Sequence, residues 1–210
     1  MALDTPGYPV NLVLKGKDCL VVGGGAVAAR KVEGLLAAGA AVRVVATAVG
    51  DELRALGVPY AERPYAAGDL DGCWLVITAT GDPAVNAAVA RQADAARVWV
   101  NAADDPPSCT FTLPAVFRQG PLSVAVATGG FSPTLAGFLK QYLSEQVGAE
   151  WASFAVLLSA ARERMQAEGR STEEPDWREV VSWDMLDLIR SGHLDLAKER
   201  IEAWLSSSSD

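Results

Sequence analysis

Val21-Val22-Gly23-Gly24-Gly25-Ala26-Val27-Ala28 closes a short apolar run and opens a helix-like segment. It fits the spacing G-x-G-x-x-A, with Gly23, Gly25 and Ala28 at the three positions that exclude bulk. Gly23 permits a tight turn out of a strand. Gly25 lets the backbone approach a pyrophosphate, and Ala28 lets a helix lie close on a sheet. The free amides and positive end of that helix suit the anion. The spacing alone is a weak signal, and a tight strand-to-helix turn with no ligand is the competing reading. Context favours a dinucleotide.

That context is an alternation. Asp18–Val22, Ala41–Val45, Trp74–Thr78 and Val98–Asn101 are apolar runs of strand length. Such near-continuous runs suit strands buried on both faces of a parallel sheet. Ala26–Ala38, Asp51–Leu56 and Pro83–Ala95 lie between them as helices, the last opened by the cap pair Asp82-Pro83. The pattern predicts an α/β fold over residues 1–113, a Rossmann-type doubly wound parallel sheet. One expected piece is absent. The second strand runs out as Val44-Val45-Ala46-Thr47-Ala48, without an Asp or Glu for the ribose hydroxyls. Thr47 can donate a hydrogen bond, so spacing leaves NAD against NADP open. Arg43 reads as a solvated strand position rather than a 2′-phosphate contact.

The pattern changes after Leu113. Leu122–Ala127 reads as a strand, Thr128-Gly129-Gly130 as a turn, and Ser132-Pro133 as the start of a helix to about Val147. Residues 114–149 thus form a small α+β segment. Trp151–Ala167, Trp177–Arg190 and Leu194–Leu205 read as helices of a C-terminal domain over residues 150–210. Trp151, Trp177, Trp183 and Trp204 serve there as packing anchors. Ser206–Asp210 is a polar end expected to fray.

Composition narrows the function classes. Half of the 210 residues are apolar and 21 % are charged, a globular balance. Lys and Arg number 18 against 26 Asp and Glu, for a net charge of −8, which argues against a nucleic-acid partner. No apolar run approaches the roughly 20 residues that span a bilayer, and Met1–Val10 lacks the pattern of a signal peptide. A cytoplasmic protein is expected, with no membrane partner. Cys19, Cys73 and Cys109 form no C-x-x-C pair and read as buried thiols in a reducing compartment. His193, the sole histidine, has no paired ligand spacing, so no metal site is expected.

Further motifs follow the loop in order: Ala79-Thr80-Gly81-Asp82 with Val85-Asn86, then Asn101-Ala102-Ala103-Asp104-Asp105-Pro106, Phe111-Thr112-Leu113-Pro114-Ala115 and Thr128-Gly129-Gly130-Phe131-Ser132-Pro133. Tyr8-Pro9 precedes them all. From Tyr8 to Val147 the chain resembles the precorrin-2 dehydrogenase/sirohydrochlorin ferrochelatase family, the N-terminal module of sirohaem synthase. The resemblance implies a homodimer, with residues 114–149 as its dimerisation segment, that oxidises precorrin-2, a tetrapyrrole, to sirohydrochlorin with NAD as cofactor. By position it puts Gly24, Gly25, Ala26 and Val27 on the cofactor phosphates, Thr47 and Ala48 near the adenosine, and Thr80 near the nicotinamide. Asp104 matches the family's catalytic aspartate. Two departures are modest: Ala102-Ala103 replaces a β-branched pair common in the family, and Ala26 stands where some relatives carry Asp. Some members also insert iron, in a cleft shared with oxidation, and others only dehydrogenate; the sequence decides neither. With nothing after residue 210, the methyltransferase module of the fused synthases is expected to be absent.

The chemistry asks for particular groups. Taking a hydride from a carbon framework leaves a proton to be removed, and a carboxylate at the carboxyl end of a parallel strand is placed for that. Asp104 follows such a strand; a turn cap in Asp-Asp-Pro is the competing reading. Gly23, and Asn101 at the end of the fourth apolar run, complete the cofactor set. A polycarboxylate substrate needs cations. Arg118 and Lys140 stand isolated against Glu145 alone in residues 114–149 and are the preferred substrate contacts. Thr128 and Gly129 could form a second anion nest, or simply a turn that needs glycine. Three rivals are weighed: a non-catalytic NAD sensor, which would not need Asp104, a protein whose main activity is chelation, and a short-chain reductase. The last needs Tyr-x-x-x-Lys, and none of Tyr8, Tyr60, Tyr65 or Tyr142 has it.

Overall fold

Asp18–Val22 (β1) is the middle strand of a five-stranded sheet. Ala41–Ala46 (β2) and Tyr60–Glu62 (β3) extend it on one side, Leu75–Thr78 (β4) and Trp99–Ala102 (β5) on the other. The order is β3-β2-β1-β4-β5, and every pairing is parallel. The direction of winding therefore reverses between β1 and β4, the switch point at which such sheets bind ligands. The computed structural model describes residues 7–103 and 105–207. They divide into two compact units, one of residues up to Leu113 with Gly129–Ser132, the other of Pro114–Thr128 with the residues from Pro133 onward.

In the first unit, successive side chains of β1 feed opposite cores. Cys19 and Val21 pack with Ala28, Val32 and Leu35 of α1 (Ala26–Ala37) and Leu53 of α2 (Asp51–Ala55). Leu20 and Val22 pack with Val89, Ala90 and Ala93 of α3 (Pro83–Ala95). The strand is apolar throughout because both its faces are covered. Each such Leu or Val stabilises the sheet by roughly 1.5–3 kcal/mol over an exposed one. The Rossmann-type sheet read from the alternation is the observed one. β3 escapes that reading because it is three residues long, bounded by Pro59 and Pro64, with only Ala61 facing a core.

The second unit begins with an antiparallel hairpin of Ala115–Gln119 (β6) and Leu122–Val126 (β7). Gly120 turns it at φ +55° and Pro121 follows, which fixes the register Gln119 opposite Leu122. β6 is half-buried and polar at its end, so only β7 was legible as a strand. Pro133–Gln146 (α4) follows, then Ala149–Ala167 (α5). The stretch Trp177–Arg190, expected as one helix, is broken. Trp177–Glu179 is a single 3-10 turn capped by Asp176, and a new helix, Trp183–Arg190 (α6), starts where the Ser182 hydroxyl accepts from the Met185 amide at 3.3 Å. A serine cap outbids helical periodicity here. Leu194–Ser207 (α7) ends the described chain.

Phe154 and Met165 of α5, Met185 and Ile189 of α6, and Ile201 and Leu205 of α7 form the core of this unit. Trp151, Trp177 and Trp204 pack on it as anchors. Trp183 does not: it is 70 % exposed and meets Trp151 edge to face, ring centroids 5.9 Å apart. In α4 only Ala136 is buried, while Leu135, Phe138, Leu139 and Tyr142 form an exposed apolar stripe at helical spacing. No helix among the described residues is long and apolar enough to cross a membrane.

Candidate functional site

The first strand-to-helix turn is held open by backbone on both sides. The Gly23 amide donates to the Val45 carbonyl at 2.9 Å, the Ala79 amide to the Val22 carbonyl at 2.8 Å, and the Gly50 amide to the Gly24 carbonyl at 2.9 Å. Side chains have no room here. Gly23 has φ +132°, and a Cβ on it would lie 2.3 Å from the Ala79 carbonyl oxygen. On Gly24 it would fall 1.9 Å from the Ala48 carbonyl oxygen. Gly25 differs, since its Cβ would meet nothing within 4 Å. Two glycines let the protein close on itself, and the third leaves a clear approach to the start of α1.

That start is also unsatisfied. Gly25 is the cap residue of α1 and no side chain caps it, nor is there an acidic residue in the first turn. The contrast with α3 is direct. There Asp82 accepts from the amides of Ala84 and Val85 at 2.8 and 3.4 Å, so that helix supplies its own carboxylate. α1 keeps its amides and positive end for an external anion. A dinucleotide diphosphate fits both the bare approach and the missing counter-charge.

The motif residues around the loop have local partners. Thr80 Oγ1 donates to Asn86 Oδ1 at 2.7 Å and accepts from the Asp82 amide at 3.1 Å, while Asn86 Nδ2 donates to the Thr80 carbonyl at 3.2 Å. This reciprocal pair explains the spacing of Thr80 and Asn86, and it fixes the loop between β4 and α3. Asn101 is buried, and its Nδ2 donates to the Phe111 carbonyl at 3.0 Å. Cys109 Sγ accepts from the Ala102 amide at 3.2 Å, and burial pushes its pKa up despite that bond. Together with Thr110 Oγ1, which accepts from the Val100 amide at 2.8 Å, these bonds clamp the end of β5. Cys19 and Cys73 are buried as expected, and Cys109 is half-buried. Asp104 lies outside the described residues.

Thr47 and Ala48 are exposed at the end of β2. Beside them stands a carboxylate that the linear reading missed. Ala46 pairs with Glu62 in the β2–β3 register, and Glu62 Oε1 accepts from the Val49 amide at 3.2 Å. The Arg54 guanidinium bonded to Glu62, with that amide, holds its carboxyl below the usual range. Arg43 is not solvated as expected. Its Nη2 donates to the carbonyls of Asp69 and Asp71 at 2.6 and 3.1 Å and to Cys73 Sγ at 3.1 Å, because strand alternation turns it under the segment that precedes β4. It points to the amino-terminal edge of the sheet, away from the loop. A cavity of about 510 Å³ opens at that same edge, lined in part by Leu70, Cys73, Gln92 and Val98.

The proposed substrate contacts fall in or next to the second unit. Arg118 is exposed near the hairpin turn and Lys140 is half-buried in the middle of α4; neither enters an ion pair among the described residues. No bond joins them. Thr128 is half-buried, and Gly129 and Gly130 both have left-handed backbones, at φ +59° and +82°. No group of three His, Cys, Asp or Glu side chains among the described residues could hold a metal ion.

A parallel sheet whose first turn is stripped of side chains, and whose first helix is left uncapped, defines a dinucleotide-binding protein of the Rossmann class. The chain belongs to the family described as "Putative NAD(P)-binding", whose model matches residues 10–115. Its relatives include the "Siroheme synthase" of Thioalkalivibrio sulfidiphilus, 35 % identical over 209 residues, which cover 97 % of this chain and 43 % of that protein. The "Siroheme synthase" of Azotobacter vinelandii is 37 % identical over 203 residues, 93 % of this chain and 43 % of that protein. The chain thus spans less than half the length of these curated relatives. Among solved structures it is similar to "SirC, precorrin-2 dehydrogenase", with a TM-score of 0.68 and 28 % identity, covering 96 % of this chain and 98 % of that one. The resemblance read from the five motifs is borne out.

Proposed function

We propose that this chain oxidises precorrin-2 to sirohydrochlorin with NAD as cofactor, acting as a cytoplasmic homodimer. The observation that carries this reading is the similarity to a precorrin-2 dehydrogenase across nearly the whole of both chains. A bound NAD supplies the acceptor for the hydride that leaves the substrate. The protein's own residues do the rest. The amides from Gly24 to Val27 bind the diphosphate, with Gly23 shaping the turn and Thr47 and Ala48 bordering the adenosine. Thr80, held by Asn86, and Asn101, held on Phe111, keep the rims of the cofactor crevice in place.

Asp104 takes the proton that accompanies the hydride, so one bond to hydrogen is lost to each acceptor. Arg118 and Lys140, with the Thr128-Gly129 turn, meet substrate carboxylates. Residues 1–113 bind the cofactor, residues 114–149 build the dimer through the α4 stripe, and residues 150–210 form the helical domain.

The test is purified protein given precorrin-2 and NAD, followed by NADH absorbance and by the sirohydrochlorin spectrum. Both should rise together. Asp104→Asn should lower turnover by about 10²–10⁴-fold, the usual worth of a general base, with NAD affinity kept. Turnover equal to wild type would remove Asp104 from the mechanism. No NADH from the wild-type protein would refute the activity.

A further inference from the structure

In Rossmann units that prefer NAD, an acidic residue past the glycine loop binds the ribose hydroxyls, and where NADP is preferred an arginine stands ready for the 2′-phosphate. β2 offers neither at its own end, where Ala46 leads into Thr47-Ala48-Val49. The neighbouring strand and helix supply both. Glu62, opposite Ala46, reaches the Val49 amide at 3.2 Å, and Arg54 Nη2 donates to its two oxygens at 3.2 and 3.0 Å. Arg54 Nε donates to the Val49 carbonyl at 3.1 Å, and Nη1 donates to the Tyr60 hydroxyl. The guanidinium is committed at every nitrogen.

The segment this pair holds is the one that closes on the phosphate loop. The Ala48 carbonyl sits against Gly24, and the Gly50 amide donates to the Gly24 carbonyl. The other arginines of this half of the sheet are also engaged elsewhere. Arg63 donates to both oxygens of Asp69 at 2.8 and 2.6 Å, and Arg43 is turned to the opposite edge. An anion arriving beyond Thr47 meets an ionised carboxylate and a guanidinium already taken.

We propose that the Arg54–Glu62 pair sets a preference for NAD over NADP. Glu62 occupies the guanidinium of Arg54 next to the end of β2 and adds a negative charge beside it. This rests on the dinucleotide-binding reading above. It is tested by calorimetric titration of NAD and of NADP into folded wild-type protein, Glu62→Gln, and Glu62→Gln combined with Arg54→Met. Glutamine keeps an oxygen for the Val49 amide, so the segment stays in place.

Wild type should favour NAD. In Glu62→Gln the NADP-to-NAD affinity ratio should rise about threefold to fivefold, the size of one freed charge at an exposed pair. The gain should shrink in high salt and vanish when Arg54→Met is added. NAD uptake with an unchanged ratio in Glu62→Gln overturns the assignment alone, as does a gain that survives the loss of Arg54. No uptake of either dinucleotide by wild type overturns the binding reading and this assignment with it.

Discussion

The two units bury their apolar surface in different ways. In the first, every side chain of β4 is buried, as are all those of β1 except Asp18, and helices cover both faces of the sheet. In the second, α5, α6 and α7 close a core of their own, but α4 keeps Leu135, Phe138, Leu139 and Tyr142 outside it. Phe138 is 68 % exposed and Tyr142 53 %. In the proposed binding mode the first unit meets its cofactor with backbone polar groups at one turn. The second presents an apolar stripe, the surface on which the proposed dimer would form.

The sharpest way to break the first unit is Gly24→Val. The new side chain must displace the Ala48 carbonyl, 1.9 Å from its Cβ, which costs on the order of 3 kcal/mol. NAD binding should be lost and the melting temperature should fall; a variant that binds and melts like wild type would disprove the loop geometry. Phe138→Glu acts on the other side of the comparison. A charge at the centre of the proposed dimer stripe should halve the mass seen in sedimentation and leave NAD affinity intact. An unchanged dimer mass would place the interface elsewhere.

A smaller effect should appear at alkaline pH, again in the closed unit. Burial pushes the Cys19 thiol up to about 11, with lesser pushes from Cys73 and Asp18. The unfolded chain gives up that proton first, so stability held below the ordinary thiol value is lost as pH climbs through 11. The loss should be roughly 3 kcal/mol in denaturant titrations, and Cys19→Ala should flatten the slope. A residual slope belongs to Cys109 and Tyr65, both pushed up by burial, Tyr65 to about 12. An equal slope in the variant would deny Cys19 its part.

What could be read from the sequence follows from the range of the physics involved. The phosphate loop was legible because its demands are local: Gly23, Gly25 and Ala28 answer steric needs within six residues. Strands β1 and β4 were legible because burial on both faces leaves continuous apolar runs. The carboxylate at the end of β2 was not, since Glu62 arrives through the register of a three-residue strand. Arg43 was misjudged for the same reason, as its partners, from Asp69 to Cys73, lie 26 to 30 residues away. In α6 the periodicity ran through a break that only the Ser182 cap reveals. Short-range sterics can be read from the chain, while pairings across strands need the fold.

The central claim is that bare amides at the start of α1 grip a dinucleotide, and Gly25→Ala tests it most directly. The backbone at Gly25, φ −89° and ψ −176°, suits alanine, and the added methyl touches no protein atom. Calorimetry should show wild type taking up one NAD per chain, and the variant, with an unchanged melting temperature, binding at least about tenfold more weakly as the methyl blocks the diphosphate. Wild-type protein that takes up no NAD at millimolar levels, or a variant that binds it equally well, would contradict the account.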